Sequence, residues 1–282
     1  MKDKLVKKYQ MAQIELLELT DKICSELNIH YYMIGGTLLG AIRHKGFIPW
    51  DADIDIAMRR DDYELFRNYW NENQSEKYVY QHYSTEKNHL SPHAILRIKD
   101  THVVYKERRV DKFIPQYDGI YLDIFPLDDA PLEPKKQNVQ MRNIKRIKRV
   151  IDLKIARTYG SQTGPLKRVA KKVVQFLLSP FSLQFLYEKL DDEMKKYNGS
   201  GSGYIVSMAS HYSYKKQYMP VGIYGQPIRV SFEDHQFCAP EKTDDYLRQL
   251  FGDYMKLPPE NERYSELDAI EGIDYGSEFD KW

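Results

Sequence analysis

The sequence predicts an α/β (α+β) fold in which a mixed β-sheet core is flanked by helices and carries an added helical region. Three observations lead to this prediction. Apolar residues recur at helical spacing along residues 4–27. Short strand-like runs then surround a helix-like segment at 60–73. From residue 135 the composition changes to a strongly basic, helix-like region.

The elements follow in order from hydrophobic periodicity and turn residues. The first helix carries an apolar stripe formed by Met11, Ile14, Leu17, Ile23 and Leu27. Strands are predicted at 31–35, 53–57, 78–83, 94–99, 102–106 and 120–124. Further along, the pattern predicts helices at 183–197 and 240–251 and strands at 204–208 and 228–232. The acidic tail from Glu260 is expected to pair with the basic helix or to stay mobile.

The stretch from Tyr32 to Ile56 carries most of the chemical information in the chain. Its last part alternates acid with aliphatic, and in a strand such alternation puts Asp53 and Asp55 on one face. Two carboxylates about 7 Å apart on one face repel each other unless a cation lies between them. A hard divalent cation such as Mg²⁺ suits this arrangement. Taken alone, however, the pair is equally typical of an edge strand with a solvated acidic face.

A glycine pair precedes these acids and predicts a phosphate-binding turn. Gly35 and Gly36 let backbone amides approach a phosphate, and a helix that starts there adds its positive end. Thr37 is predicted either to cap that helix or to bind a ligand oxygen. Arg43 begins a basic cluster suited to a polyphosphate, and Gly46 is predicted to stop the helix. This layout is typical of metal-assisted transfer from a nucleotide.

These residues resemble the nucleotidyltransferase-fold superfamily and, within it, the LicD family of bacterial phosphorylcholine transferases and fukutin-related transferases. The run GGTLLGAIRHKGFIPWDADIDI carries the first motif, and GIYLDIFPLD at 119–128 is similar to the second. The LRIK run at 96–99, FGDY at 251–254 and the prolines at 258–259 also fit. The likeness is dense over 28–128 and patchy to about 263.

The resemblance implies a reaction and a set of site residues. Asp53, Asp55 and Asp123 are implied as catalytic residues and as ligands of Mg²⁺ (or Mn²⁺), with Asp123 the candidate base. Donor or phosphate contacts are implied for Gly35, Gly36, Thr37, Arg43, Arg97 and Lys99. Arg97 and Lys99 are two residues apart on a predicted strand, so both side chains are expected to face the same side. The same spacing is also typical of two solvent-exposed cations that bind no phosphate. Trp50 and Tyr117 are stacking candidates.

The implied activity is transfer of phosphocholine, or a related phospho-alcohol, from a CDP-alcohol such as CDP-choline to a sugar hydroxyl, with release of CMP. The acceptor would be a lipid-linked or polymeric precursor of a cell-surface glycan such as teichoic acid, capsule or lipopolysaccharide. Two alternatives stay open: a nucleotidyltransferase acting on a small molecule or RNA, and a non-catalytic degenerate member. The family's acidic run often has Asp where this chain has Ala52. By alternation, residue 52 faces away from the acidic pair.

Residues 135–172 contain thirteen Lys or Arg and one acid, Asp152, and an apolar run follows. A basic helix followed by an apolar face predicts either packing on the catalytic core or contact with an anionic membrane through residues 135–180. We expect three regions: a nucleotidyltransferase-like catalytic core at 1–134, a basic, amphipathic helical insertion at 135–200, and a C-terminal part at 201–282 that packs back on the core.

Composition excludes several classes of protein. The 42 Lys and Arg balance 41 Asp and Glu, so no bulk charge indicates nucleic acid. Cys24 and Cys238 are too few and too distant for a zinc site or a disulfide framework, and Cys24 is expected in the core. No apolar run reaches the ~18 residues of a membrane span. A cytoplasmic protein, peripheral at the inner face of the cell membrane at most, is expected.

Overall fold

The computed structural model describes residues 2–87, 89–105, 119–155, 172–263, 267 and 270–276. Tyr117 and residues 156–171 of the basic segment lie outside these residues. Within the described ranges the chain combines a mixed sheet, two smaller antiparallel sheets and flanking helices. The predicted α/β (α+β) fold class is therefore confirmed.

The N-terminal half follows the predicted order. Its elements are α1 (Lys2–Glu26), β1 (Tyr31–Met33), α2 (Gly35–His44), β2 (Asp55–Arg59), α3 (Arg60–Glu72), β3 (Tyr78–Gln81), β4 (Ala94–Ile98), β5 (His102–Tyr105) and β6 (Tyr121–Asp129). Every strand predicted here is confirmed, with ends shifted by a few residues. The largest difference is in β6, which continues to Asp129 because its last residues pair with a later strand.

The second half has more short elements than the sequence predicted. They are α4 (Pro134–Ile155), α5 (described over 172–177), α6 (Leu183–Met194), β7 (Tyr204–Val206), α7 (Tyr214–Gln217), β8 (Met219–Pro220), α8 (Val221–Tyr224), β9 (Ile228–Phe232), β10 (His235–Ala239), α9 (Thr243–Phe251) and β11 (Ile270–Asp274). Single 3₁₀ turns lie at Lys195–Tyr197 and Glu260–Glu262. Three strands, β8, β10 and β11, were not predicted.

The main sheet has the order β1-β2-β6-β4-β3, and β7 extends it from the end of β6. Strands β2 and β6 pair in parallel, with Asp55 opposite Asp123, whereas the other pairs are antiparallel. β6 lies at the centre, with Leu122 and Ile124 fully buried. This parallel pairing brings together two acids that are distant in the sequence.

The N-terminal helix buries three residues of the predicted stripe: Ile14, Leu17 and Ile23. Met11 and Leu27 are 45% and 43% exposed. The buried face also includes Tyr9, Leu16 and two polar side chains, Gln13 and Thr20. Polar residues with bonding partners thus take buried positions that hydrophobicity alone does not identify. Cys24 is buried as expected, and both cysteines are free thiols.

The end of α2 also differs from the prediction. The helix ends at His44, and Lys45, with φ of 64°, takes the left-handed C-cap position, so Gly46 is not the residue that stops the helix. Gly46 is needed for another reason: a Cβ there would overlap the carboxylate of Glu233. That carboxylate accepts a hydrogen bond from the Phe47 backbone N–H at 2.9 Å, so the β9–β10 hairpin fixes the loop that leads to the acidic strand.

The acidic tail does not pair with the basic helix in the described residues. Instead β11 pairs antiparallel with β5, with Ile270 opposite Tyr105 and Asp274 opposite His102. Backbone pairing therefore decides the position of this segment, and its charge does not. No helix in the described ranges is long and apolar enough to cross a membrane.

Candidate active site

Three aspartates meet at one end of the β2–β6 pair. Asp55 and Asp123 are register partners, and the Asp123 backbone N–H donates to the Ile54 carbonyl at 2.9 Å. Asp53 lies just before β2. One ligand oxygen from each of the three carboxylates lies within 4.8 Å of the others, and all three residues are half-buried. Like charges this close favour a bound cation between them.

The donor set fits a hard divalent cation. All three side chains offer carboxylate oxygens, the ligands that Mg²⁺ and Mn²⁺ prefer over nitrogen or sulfur. One Asp123 oxygen, Oδ1, is buried without a hydrogen-bond partner among the described residues. A buried carboxylate oxygen in this state is costly and uncommon in a purely structural side chain, which marks Asp123 as part of a functional site. The residues therefore fit a metal centre, although its identity is not fixed by the protein alone.

The side chains around the acids alternate between buried and half-buried, as predicted for Ala52. Ala52 and Ile54 are buried at 5% and 0% exposure, while Asp53 and Asp55 are half-buried on the other side. The Gln13 side-chain amide donates to the Ala52 carbonyl at 3.0 Å, so α1 holds this segment. Since residue 52 points into the core, its side chain does not occupy the acidic face.

The glycine pair sits directly against the acids. Gly35 has φ of 54°, a left-handed conformation that favours glycine, and a Cβ there would lie 3.4 Å from Asp55 Oδ2. At Gly36 a Cβ would overlap the carboxylate of Asp51. The positive end of α2 therefore faces a carboxylate-rich loop that includes a fourth acid, Asp51. Sequence reasoning counted Asp51 in the acidic run but gave it no role.

Thr37 is buried, and its hydroxyl accepts a hydrogen bond from the Asp55 backbone N–H at 2.8 Å. The alternative in which Thr37 caps α2 was wrong, because Ile34 occupies the N-cap position and no side chain bonds there. Thr37 instead joins the start of the helix to the strand that carries Asp55.

Two tyrosines that sequence reasoning missed come from the C-terminal part. The Tyr246 hydroxyl, on α9, accepts the Gly35 backbone N–H at 3.1 Å. Burial and then the charges of Asp55, Asp51 and Asp53 raise the pKa of the Tyr212 phenol. Tyr212 therefore lies close to the acidic cluster, in edge contact with Phe251. No local signal separates these two from the other tyrosines.

A histidine was missed as well. His93, just before β4, places Nε2 3.2 Å from Asp123 Oδ1, and its ring packs on Phe125 with centroids 4.2 Å apart. The spacing suits an ion pair, but the angle does not make a hydrogen bond, and both atoms lack hydrogen-bond partners among the described residues.

Comparison with known proteins agrees with this geometry. Over 266 residues the chain is 32% identical to the lipopolysaccharide cholinephosphotransferase LicD of Haemophilus influenzae, covering 93% of this chain and 96% of that protein. The chain belongs to the LicD family. Residues 28–149 match the family described as LicD/FKTN/FKRP, nucleotidyltransferase domain. A shorter stretch of 34 residues is 47% identical to the ribitol 5-phosphate transferase FKRP of Homo sapiens, covering 12% of this chain and 7% of FKRP.

In this LicD-family chain, two of the predicted phosphate-binding cations bond to protein oxygens. Arg97 donates to Gln81 Oε1 at 2.6 Å and to the Gly119 carbonyl at 2.7 Å. Lys99 lies beyond the end of β4 and donates to the Ser75 carbonyl at 2.7 Å. Neither has a carboxylate as hydrogen-bond partner among the described residues. Their roles toward a donor stay predictions.

Arg43 lies at the last turn of α2 in a basic and aromatic cluster. Its guanidinium donates to the Tyr254 carbonyl at 2.8 Å. Burial and then the charge of Arg263 lower the pKa of Arg43, so the two cations lie close together. Arg263 also stacks over Trp50, with its guanidinium carbon 5.4 Å from the ring centroid. Trp50 adjoins Asp51, so this cluster, including Arg263 that sequence reasoning missed, borders the acidic loop.

Proposed function

We propose that this LicD-family protein transfers a phospho-alcohol, with phosphocholine as the first candidate, from a CDP-activated donor to a sugar hydroxyl of a cell-surface glycan precursor. The observation that carries the proposal is the three-aspartate cluster at the positive end of α2. The two named relatives support it, since one is a cholinephosphotransferase and the other a ribitol 5-phosphate transferase. Both names describe movement of a phospho-alcohol.

In the proposed reaction the acceptor oxygen attacks the phosphorus that carries the alcohol. The bond from that phosphorus to the CMP oxygen breaks, and CMP leaves. Asp53, Asp55 and Asp123 would hold Mg²⁺ or Mn²⁺, which when bound neutralises charge on the donor phosphates. Asp123 accepts the proton of the acceptor hydroxyl at the carboxylate oxygen that does not bind the metal. A carboxylate shared between these tasks explains why it lies at the centre of the sheet, where its position is fixed.

The cationic residues divide into two groups around this centre. Backbone amides of Gly36 and Thr37, at the start of α2, face the donor phosphates. Arg43 and Arg263 offer a second anion-binding point about 10 Å away, seven residues along the helix. We assign this second point to the donor as well. Trp50 contacts Arg263 and adjoins Asp51, so its ring is placed to stack on the base of the donor.

The test is a nucleotide-release assay on the whole protein with Mg²⁺. CDP-choline, CDP-ethanolamine, CDP-glycerol and CDP-ribitol are supplied separately, with and without a glycan acceptor. We expect CMP release from one donor, and loss of release in Asp53→Asn and Asp55→Asn with an unchanged melting temperature. Unchanged turnover in either variant would refute the metal assignment.

Two results would favour the alternatives. Pyrophosphate release from a nucleoside triphosphate, without CMP release from any CDP-alcohol, would indicate nucleotidyl transfer. Absence of both release and nucleotide binding by calorimetry would indicate a non-catalytic member. The Asp→Asn variants change the charge of the side chain and not its volume. Loss of activity in these variants is therefore distinguished from loss caused by misfolding.

We further propose that α4 and the segment that follows it contact an anionic membrane. Because an α-helix turns about 100° per residue, four of the six exposed cations of α4 form one stripe opposite its buried face, which is made of Gln140, Ile144 and Ile151. The stripe consists of Lys135, Arg142, Arg146 and Arg149.

An exposed apolar wedge follows this stripe in the sequence. It consists of Val173, Phe176, Leu177, Phe181 and Phe185, with Phe176 at 77% and Leu177 at 65% exposure. The Lys154 ammonium donates to the Leu178 carbonyl at 2.9 Å, which ties the wedge to the end of α4. Cations beside exposed aromatic and aliphatic groups complement an anionic bilayer, at about 1 kcal/mol per cation near the surface.

Vesicle sedimentation tests this contact. The whole protein should bind vesicles of phosphatidylglycerol and phosphatidylcholine and bind less as salt rises. Phe176→Ser with Leu177→Ser should weaken binding about tenfold, while Leu65→Ser, 54% exposed on α3, serves as the control. Equal binding by wild type and the double variant would refute the wedge, and binding to uncharged vesicles alone would refute the role of the stripe.

A further inference from the structure

His93 contacts the metal-binding carboxylate without being one of the three aspartates. Its Nε2 lies 3.2 Å from Asp123 Oδ1, and its side chain is 13% exposed. Neither ring nitrogen of His93 nor Asp123 Oδ1 has a hydrogen-bond partner in the described part of the chain. Two buried polar atoms facing each other in this way need only a small rotation to form a hydrogen bond.

The loop that carries His93 is held rigidly. His89 is 5% exposed, and its Nε2 lies 2.8 Å from the His93 carbonyl. A carbonyl only accepts, so His89 Nε2 carries the hydrogen. Burial lowers the pKa of His89 to about 4, so this imidazole is neutral near pH 7. On the other side, the His93 ring packs on Phe125, two residues beyond Asp123 on β6.

We infer that His93 is a positioning residue for the metal centre: it donates its Nε2–H to Asp123 Oδ1 and so directs the other carboxylate oxygen to the metal. The inference rests on the proposed metal-dependent function. Its physical basis is that a carboxylate ligand with one oxygen held by a donor loses less rotamer freedom when metal binds. Hydrogen bonds of this kind to metal ligands are worth about 10–100-fold in metal affinity.

A direct role of His93 as a fourth ligand is the main alternative. The three aspartate oxygens lie within 4.8 Å of one another, and His93 is outside that group. Among the described carboxylates, the ion-pair contact of His93 is with Asp123. The geometry therefore favours action through Asp123.

The experiment measures Mn²⁺ affinity of the whole protein by electron paramagnetic resonance, so that it does not depend on donor or acceptor. His93→Leu removes the donor, and His93→Gln keeps an N–H near the same position. The matched control is His235→Leu, because His235 also faces a carboxylate, Glu18 at 3.1 Å, and stacks on an aromatic ring, Phe237, away from the acids. Melting temperatures check folding of each variant.

We expect His93→Leu to weaken Mn²⁺ binding about 10–100-fold, and His93→Gln and His235→Leu to stay within about threefold of wild type. Equal losses in His93→Leu and His93→Gln, or no loss in either, would overturn the inference. A nitrogen coupling to Mn²⁺ in the wild-type spin-echo spectrum that His93→Leu removes would also overturn it, since His93 would then be a ligand.

The same titration separates this inference from the proposed function. If wild type binds Mn²⁺ and Asp53→Asn does not, the metal centre stands whatever His93 does. If wild type binds no Mn²⁺, the metal centre and the role of His93 are both overturned.

Discussion

A buried ion-pair network around Arg60 joins the strand that carries Asp55 to the helical region. Arg60 donates to both oxygens of Asp128, each at 2.7 Å, and to Asp191 on α6 at 2.9 Å. Its side chain is 9% exposed, and those of Asp128 and Asp191 are 0% and 3% exposed. Replacing Arg60 by Met would remove the cation that both buried carboxylates share and leave Asp191 with the half-exposed Lys195 as its cationic partner.

The expected cost follows from this burial. Breaking a buried ion pair by removing one partner costs about 3–5 kcal/mol, because the remaining charge is left uncompensated. For a chain of this size, about 4 kcal/mol corresponds to a fall in melting temperature of roughly 8–16 °C. The assay is urea unfolding at pH 7, in which the midpoint should fall while the slope stays constant.

The neighbouring residue provides a matched control. Arg59 pairs with Asp129 at 3.1 Å, but its side chain is 38% exposed. Because solvent screens such a pair, Arg59→Met should cost less than about 1 kcal/mol. A cost of Arg60→Met that is no larger than that of Arg59→Met would refute the reasoning from burial.

The effect of Arg60 should also depend on pH. Burial by itself raises the pKa of Asp191, but the charges of Arg60 and then Lys195 outweigh it, so the pKa is lowered. A carboxylate with a depressed folded pKa stabilises the fold above its unfolded pKa and loses this contribution as pH falls through the folded value. The stability difference between wild type and Arg60→Met should therefore narrow below about pH 4.

Three further predictions concern the site and its surroundings. Gly36→Ala places a methyl group against the Asp51 carboxylate, so Mn²⁺ affinity should fall about tenfold, or about 1.4 kcal/mol; unchanged affinity in the resonance titration would contradict this. Arg263→Ala should raise KM for the CDP-alcohol about tenfold at constant kcat, since a charge-assisted contact is worth about 1.5–3 kcal/mol, whereas Arg248→Ala should not. Burial lowers the pKa of His82 to about 3, below the unfolded value of about 6.5, so stability should fall as pH drops between these values. Wild type should lose about 3 kcal/mol more free energy of unfolding between pH 7 and pH 4.5 than His82→Asn does. Equal losses in the two proteins, measured by urea unfolding, would contradict the attribution of this pH dependence to His82.

Much of the site could be predicted from sequence because its first part is local. The glycine pair, the short helix and the alternating acids all lie within 35–55, where spacing along the chain fixes which side chains share a face. The same holds for the strands around them, whose positions were predicted within a few residues. Ala52 illustrates the point, since alternation alone predicted its burial.

Other parts depended on how distant segments pair. Asp123 is 68 residues from Asp55, and only the parallel register of β2 and β6 puts them side by side. Sequence identified Asp123 through a family motif, not through any physical signal of proximity. For the acidic tail, charge suggested the basic helix as a partner. In the structure, β11 of this tail instead pairs through its backbone with β5.

By itself the sequence determined the glycine turn, the acidic pair and the family, because these depend on local spacing and on motif order. Only the tertiary structure decided that Thr37 bonds to the Asp55 backbone, that Tyr212 and Tyr246 lie near the acids, and that His93 faces Asp123. The physical reason is that hydrophobic periodicity reports which face of an element is buried. It does not report which other element covers that face, and that choice sets the surroundings of each carboxylate in the three-aspartate cluster.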